Sequence, residues 1–289
     1  MPTKIEKDAV SGRETTGHEW DGIKELNNPL PKWWVYIFYA SILYAVVYSV
    51  LYPAWPGLTG YTKGLLGFSQ REQTMERVRQ GAELRAPMMA RINAASLEEI
   101  RADPDLLNFS LNGGRTIFAD NCATCHGSGG SGRPAFPVLA DDDWLWGGRL
   151  ADIHQTISFG VRNANDNSRQ SLMPRFGVDG MLTPAQINDV AEYVLALNGR
   201  ATDKAAAARG EPVFAENCVA CHLEGGKGNQ ELGAKNLTNG IWLYGGDKAS
   251  IVRMVWYSRN ASMPAWVDRL DPATVKMLTV YVHALGGGQ

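Results

Sequence analysis

Two short phrases, FADNCATCHGSGG at 118–130 and FAENCVACHLEGG at 214–226, hold Cys122, Cys125, Cys218 and Cys221, all four cysteines of the chain. Each reads Cys-x-x-Cys-His, with His126 or His222 directly after the second cysteine. On a helical turn, two thiols three residues apart can meet the two vinyl groups along one porphyrin edge, and the adjacent imidazole can reach the iron. A zinc site would need a fourth Cys or His ligand in each copy, and the spacing supplies none. A redox dithiol would account neither for the histidine nor for the duplication. The phrases therefore predict two covalent haems c, attached through Cys122, Cys125, Cys218 and Cys221, with His126 and His222 as axial ligands.

The other face of each iron calls for a soft donor on a downstream loop. Met173 in LMPRF and Met263 in SMPAW stand at matching places, each before a proline and each ahead of the last helix of its copy. Most methionines fill cores, but matched positions inside polar loops favour ligation. A thioether opposite imidazole raises the reduction potential and closes the last coordination position, which suits electron transfer better than substrate binding. The spacing permits each methionine to serve the haem of its own copy. Arg162 and Arg259 also match, beside Asn163 and Asn260. A guanidinium fork suits haem propionates, while a solvent-facing arginine is the equal competing reading. Trp144 and Trp242 match as well and are expected to wall the haems. His18, His154 and His283 have no counterpart in the other copy and read as structural or surface residues.

These residues sit in a tandem duplication. NGGRTIFADNCATCH corresponds to ARGEPVFAENCVACH, WLWGG to WLYGG, VRN to SRN and EYVLAL to VYVHAL, all in the same order. Ordered matches of this kind mean two copies of one domain, at 108–200 and 204–287. Each copy reads as mainly α: a helix bringing Phe118 or Phe214 into the cysteine phrase, a Gly-rich loop, a short helix near 150–160 or 248–258, a second loop and a final helix. Thr183-Pro184 with Gln186, and Asp271-Pro272, mark the starts of the final helices by a capping residue before a first-position proline.

Ahead of the copies, WWVYIFYASILYAVVYSVLY at 33–52 is uncharged, and as a helix it spans roughly 30 Å, the thickness of a bilayer's hydrocarbon core. Aromatic residues at both ends resemble interfacial belts. The polar segment before it and the PAWPG after it do not suit a cleaved signal peptide. Ser41, Ala45 and Ser49 form a column of small side chains beside Tyr44, Tyr48 and Tyr52, a face on which another membrane helix could pack. Residues 1–32 read as an irregular lead-in. The stretch 53–107 reads as a membrane-proximal linker with two short helices, starting at Ser69/Glu72 and Ser96/Glu99 and separated by Pro87. With a net charge of −2 and no basic run, nothing points to nucleic acid.

The paired Cys-x-x-Cys-His domains resemble the dihaem c-type cytochromes. The stretch WDGIKELNNPLPKWWVYIFYASILYAVVYSVLYPAWPG is similar to the membrane anchor of the P subunits (CcoP) of cbb(3)-type cytochrome c oxidases, and the resemblance covers essentially the whole chain. It implies an electron-transfer subunit, not an enzyme in isolation, that works with a catalytic haem-copper subunit and a monohaem cytochrome subunit. Electrons would come from a periplasmic donor cytochrome c or a bc1-type complex. The resemblance further implies that methionine ligation can be crossed, Met263 to the first haem and Met173 to the second. Some relatives carry a further hydrophobic segment ahead of this anchor; here one span is expected. Arg13, Lys24 and Lys32 before the span outnumber Lys63 and Arg71 after it, a weak positive-inside bias. Haem c attachment outside the cytoplasm agrees with it, giving a single-pass protein of the bacterial inner membrane with a cytoplasmic N-terminal segment and periplasmic haem domains. A free membrane-anchored dihaem shuttle shares the chemistry. A dihaem peroxidase would need an open iron face, and a gas sensor an output domain.

Overall fold

The computed structural model describes residues 3–289 and divides into two compact units at Ala82/Glu83. The first unit opens with an antiparallel hairpin, β1 (Thr15–Trp20) and β2 (Ile23–Leu26), turning at Asp21-Gly22. Both turn residues have positive φ, 49° and 84°, the backbone of a two-residue turn whose twist matches the strands it joins. The lead-in expected to be irregular is therefore partly sheet, and the Asp-Gly pair was its signal. Helix α1 (Lys32–Leu51) follows, with no buried residue. It is the one helix among the described residues long and apolar enough to cross a membrane. Ser41 and Ser49 turn their hydroxyls back onto the Phe38 and Ala45 carbonyls of the same helix, both at 2.7 Å. Tyr44, Tyr48 and Tyr52 stack in sequence along its side, with ring centres 6.0 and 4.7 Å apart.

Helix α2 (Gln70–Ala94) starts where Ser69 caps Glu72, as expected, but it runs through Pro87. The two expected helices are instead one long helix and the short α3 (Leu97–Ala102), separated at Ala95-Ser96. Proline removes one helical hydrogen bond and crowds the preceding turn. The break nevertheless falls at Ser96, where a full capping box with Glu99 starts a new helix.

The second unit is all helical: α3, α4 (Pro104–Asn121), α5 (Ala123–His126), α6 (Leu150–Phe159), α7 (Pro184–Ala196), α8 (Lys204–Asn217), α9 (Val219–His222), α10 (Lys248–Tyr257) and α11 (Pro272–His283). Its helix pairing crosses the sequence repeat. The last helix of the first copy, α7, packs on the first helix of the second, α8, while α11 at the end of the chain returns to α4 at the start. Matched residues make both crossings. Tyr193 of α7 meets Phe214 of α8 with ring centres 5.1 Å apart, and Tyr281 of α11 meets Phe118 of α4 at 5.5 Å. Gly114 and Gly210 let the backbones approach. A Cβ at Gly114 would stand 2.6 Å from Tyr281 Cβ, and one at Gly210 would stand 2.1 Å from the Asp189 carbonyl oxygen.

The apolar interior follows this pairing. One core gathers Phe176, Ile187, Val190, Val194, Phe214, Ile251 and Val255, with every member from the stretch 173–256. Two adjoining clusters built on α3, α4, α6 and α11 draw only on residues 88–157 and 263–285. The continuous core is thus nested within a discontinuous one, and the sequence copies and the packing cores divide the chain differently. Glu192 of α7 is fully buried and accepts from Lys248 Nζ at 2.8 Å, from the Thr202 hydroxyl and backbone, and from Asp203 N. Lys248 and Thr202 together hold its carboxyl down at about 2.

Candidate haem-binding sites

Each cysteine phrase is held the same way. Helix α4 ends at Cys122 and α8 at Cys218. One more turn, α5 or α9, carries the second cysteine and the histidine, with His126 N and His222 N both bonded to the first cysteine's carbonyl at 2.9 Å. The thiols and the imidazole of each phrase therefore leave one turn together, the arrangement that the spacing predicted. Burial pushes the Cys122 and Cys218 thiols up to about 11.

Both histidines are fixed by an outer acceptor. His126 Nδ1 lies 3.1 Å from the Pro137 carbonyl and His222 Nδ1 lies 2.9 Å from that of Lys235. With Nδ1–H donated there, Nε2 is left as the free lone pair for a metal. Burial lowers the pKa of both rings, which keeps them neutral as ligation requires.

Cys122, Cys125 and His126 line an apolar cleft that Met263 and Pro264 of the second copy line as well. Met263 is anchored there by backbone bonds to Val161 in both directions, 3.0 and 2.8 Å, and by Asn163 Nδ2 donating to its carbonyl at 2.7 Å. Met173 packs against the core that contains Phe214, as do Cys218 and Val219 of the second phrase. Its amide donates to Asn260 Oδ1 at 3.1 Å, and its carbonyl accepts from Ser258 Oγ at 2.7 Å and Asn260 Nδ2 at 3.2 Å. His126 therefore shares one cleft with Met263, the methionine of the other copy.

Arg162 lines the first cleft, but two of its donors are already used, on the carbonyls of Ala261 and Ser171, both at 2.8 Å. Arg259 is exposed, with its guanidinium 5.8 Å from the Tyr244 ring centre. Asn163 and Asn260, beside those arginines in the matched VRN and SRN, do more of the positioning. Their recurrence was the signal, although the arginines drew the functional reading. Tyr244 and Trp146 line the first cleft as well and also occupy matched places in WLYGG and WLWGG. Trp144 stands in the cleft wall with its indole N–H on the Gly287 carbonyl at 2.5 Å. Trp242 packs on the second core, and its buried indole N–H has no partner among the described residues. A buried donor left unpaired is costly, and the acidic edge of a porphyrin would satisfy it. The donors, the apolar cleft and this orphaned N–H all fit haem c. Of the remaining histidines, His154 is half-buried, His283 Nε2 lies 3.0 Å from the Gln289 carbonyl, and His18 lies 4.0 Å from Glu25.

Three family models match in succession: the N-terminal domain of cytochrome oxidase-cbb3, FixP, over 12–59; cytochrome c over 112–198; and cytochrome c oxidase, cbb3-type, subunit III, over 205–282. The chain is 54% identical to the cbb3-type cytochrome c oxidase subunit CcoP of Azospirillum brasilense, covering 98% of this chain and 99% of that one. It is 54% identical to the FixP subunit of Azorhizobium caulinodans, covering 98% and 96%, and 52% identical to that of Bradyrhizobium diazoefficiens over the full length of both. With haem c in each of its two cytochrome c domains and one helix long and apolar enough to cross a membrane ahead of them, this chain belongs to the CcoP/FixP family of cbb3-type cytochrome c oxidase subunits.

Proposed function

We propose that the chain relays electrons through two His–Met haems with crossed ligation: Cys122, Cys125, His126 and Met263 hold the first, and Cys218, Cys221, His222 and Met173 the second. Each haem supplies a one-electron centre when bound. The protein's part would be to hold each haem with these side chains, exclude water from it and set its potential. The observation that carries the reading is the single cleft shared by Cys122, Cys125, His126 and Met263. Arg162 contributes as a wall and a fastener of carbonyls, and a propionate contact falls to its remaining N–H groups and to the exposed Arg259. Two closed irons favour relay over peroxide chemistry.

As a subunit of the oxidase complex the chain works beside the catalytic haem-copper subunit. It delivers to the monohaem cytochrome subunit electrons drawn from a periplasmic donor cytochrome c or a bc1-type complex. Helix α1 tethers it to lipid in the bacterial inner membrane, with residues 1–32 cytoplasmic and the haem domains periplasmic. The Arg13, Lys24 and Lys32 side of the span and the extracytoplasmic attachment of haem c support that orientation.

The test removes one haem and asks which methionine the other obeys. In a Cys122→Ala, Cys125→Ala background one haem c per chain remains by pyridine haemochrome. Met173→His is then expected to lower its reduction potential, because imidazole is the stronger donor, while Met263→His leaves it in place. The reverse response means local ligation.

A further inference from the structure

A ring of three side chains joins the two haem sites across the boundary between the sequence copies. Asp143, next to Trp144, lines the first cleft. Lys235 supplies the backbone carbonyl that accepts from His222 Nδ1. The Lys235 ammonium donates to Asp143 Oδ2 and, at 2.8 Å, to Asn239 Oδ1, and Asn239 Nδ2 closes the ring on Asp143 Oδ1 at 2.7 Å. The Asp143 and Lys235 side chains are only 13% and 16% exposed, so their charges are weakly screened. Duplication does not explain the ring. By the repeat, Asp143 stands opposite Ile241, and Lys235 stands opposite Pro137.

A buried ion pair contributes little net stability, because desolvation offsets the attraction. What distinguishes this one is where its two ends lie. The lysine end fixes the main chain that orients His222, and outer-shell acceptors of this kind set both the ring plane and the basicity of a ligating imidazole. The aspartate end puts a carboxylate in the wall of the first cleft, where an unbalanced charge would alter the relative energies of the oxidised and reduced iron.

We propose that Asp143, Lys235 and Asn239 form a positioning cluster that couples the two haem sites. It holds the His222 carbonyl in place and keeps the wall of the first cleft charge-balanced, so the potential of each haem depends on a residue of the other copy. The inference rests on the ligation of His222 to the second haem described above.

The experiment uses the full chain with both haems, in detergent, as wild type, Asp143→Asn, Lys235→Met and the double variant. It reads three quantities: spectroelectrochemical potentials, EPR g-values of the oxidised haems, and the unfolding temperature. Asp143→Asn leaves the lysine charge unbalanced and raises the first haem's potential. Lys235→Met leaves the carboxylate unbalanced, lowers that potential and shifts the second haem's g-values, because the carbonyl facing His222 loses its anchor. The double variant returns the first potential towards wild type and keeps the altered g-values. Each single change shifts the distribution of one electron between the two haems by roughly three- to tenfold. Same-direction shifts, or potentials and g-values that stay put while the unfolding temperature falls, would reduce the ring to a structural staple and overturn the proposal. If Lys235→Met loses haem, Asp143→Asn decides alone: altered g-values of the second haem support the coupling and unchanged ones sink it. A wild-type EPR spectrum lacking a low-spin His–Met signal for the second haem would overturn the ligation reading and the coupling together. That failure is visible before any variant is made.

Discussion

Asn163 and Asn260 divide between them the work of holding the two methionine loops. Asn163 Nδ2 serves two carbonyls, Phe159 at 2.8 Å and Met263 at 2.7 Å, and so ties a helix end of one copy to the candidate ligand of the other. Asn163→Ala removes both bonds and leaves a part-buried carbonyl unpaired, at a cost of about 1–3 kcal/mol. Under crossed ligation the methionine-to-iron charge-transfer band of the first haem weakens and that of the second stays. Asn260→Ala does the reverse, by oxidised-state optical spectra of chains that keep one haem each. Loss from the haem of the other copy, the second for Asn163→Ala and the first for Asn260→Ala, would contradict the crossed assignment. At this scale the Cys-x-x-Cys-His phrases were fully legible, since attachment and ligation are coded within five neighbouring residues. The matched VRN and SRN were visible too, but a sequence does not say which residue of a recurring triplet points inward. Arginine drew attention by its charge, whereas the short amide is what reaches across a loop to a carbonyl. The Asp143–Lys235 pair was not legible, because its partners lie in different copies and neither is repeated.

Element by element, caps were easier to read than interruptions. Thr183 with Gln186, Ser96 with Glu99, and Asp271 before Pro272 all start helices as their sequences indicate. A cap is local chemistry, with one side-chain oxygen on one free N–H. Pro87 was expected to end a helix and does not, since tertiary packing outweighs a single lost hydrogen bond: Met88, Met89 and Ile92 beyond it dock into the core of α3, α4 and α11. Helix α1 poses the opposite problem, an element with no buried residue. Its serines are satisfied within the helix, so the Ser41, Ala45 and Ser49 column offers close backbone approach rather than unmet polar groups. The family's oxidase complex implies other subunits as partners, and the column is a place where one could pack. Replacing the three by Leu makes the span more apolar and keeps the chain in the membrane, but fills the column. Pull-down from mild detergent is expected to recover the core subunits in clearly reduced yield. Wild-type recovery would leave α1 a tether and nothing more.

Across the whole molecule, the repeat and the packing give different partitions, and the reason is the length of a linker. Only the stretch 197–203 separates α7 from α8, and helices joined so closely pack against each other as neighbours. That short connection was the available signal for the exchange, and repeat matching passes over it, because aligned copies report ancestry rather than contact. Once α7 takes α8 as its partner, α4 is left without a closing helix until α11 returns at the end of the chain. The second core is then built from one continuous stretch, the first from two stretches on either side of it. This order makes fragments unequal in a way that two separate domains would not be. A fragment spanning 171–260 contains every residue of the continuous core together with Met173, Cys218, Cys221 and His222, and it is expected to mature as a compact monohaem protein with a methionine-to-iron band. A fragment spanning 83–200 keeps Cys122, Cys125 and His126 but lacks Val275, Leu278, Tyr281 and Val282, which surround Phe118, and it also lacks Met263. Burying large apolar side chains of this kind is worth about 1.5–3 kcal/mol each, and four losses together exceed a large share of a small domain's stability. Expressed in a host that attaches haem c, the first fragment should give sharp two-state thermal unfolding, while the second should be degraded or carry haem without a methionine ligand. Equal folding of 108–200 and 204–287 as independent His–Met cytochromes, measured by the same two readouts, would show that the copies and not the nested cores are the units that fold.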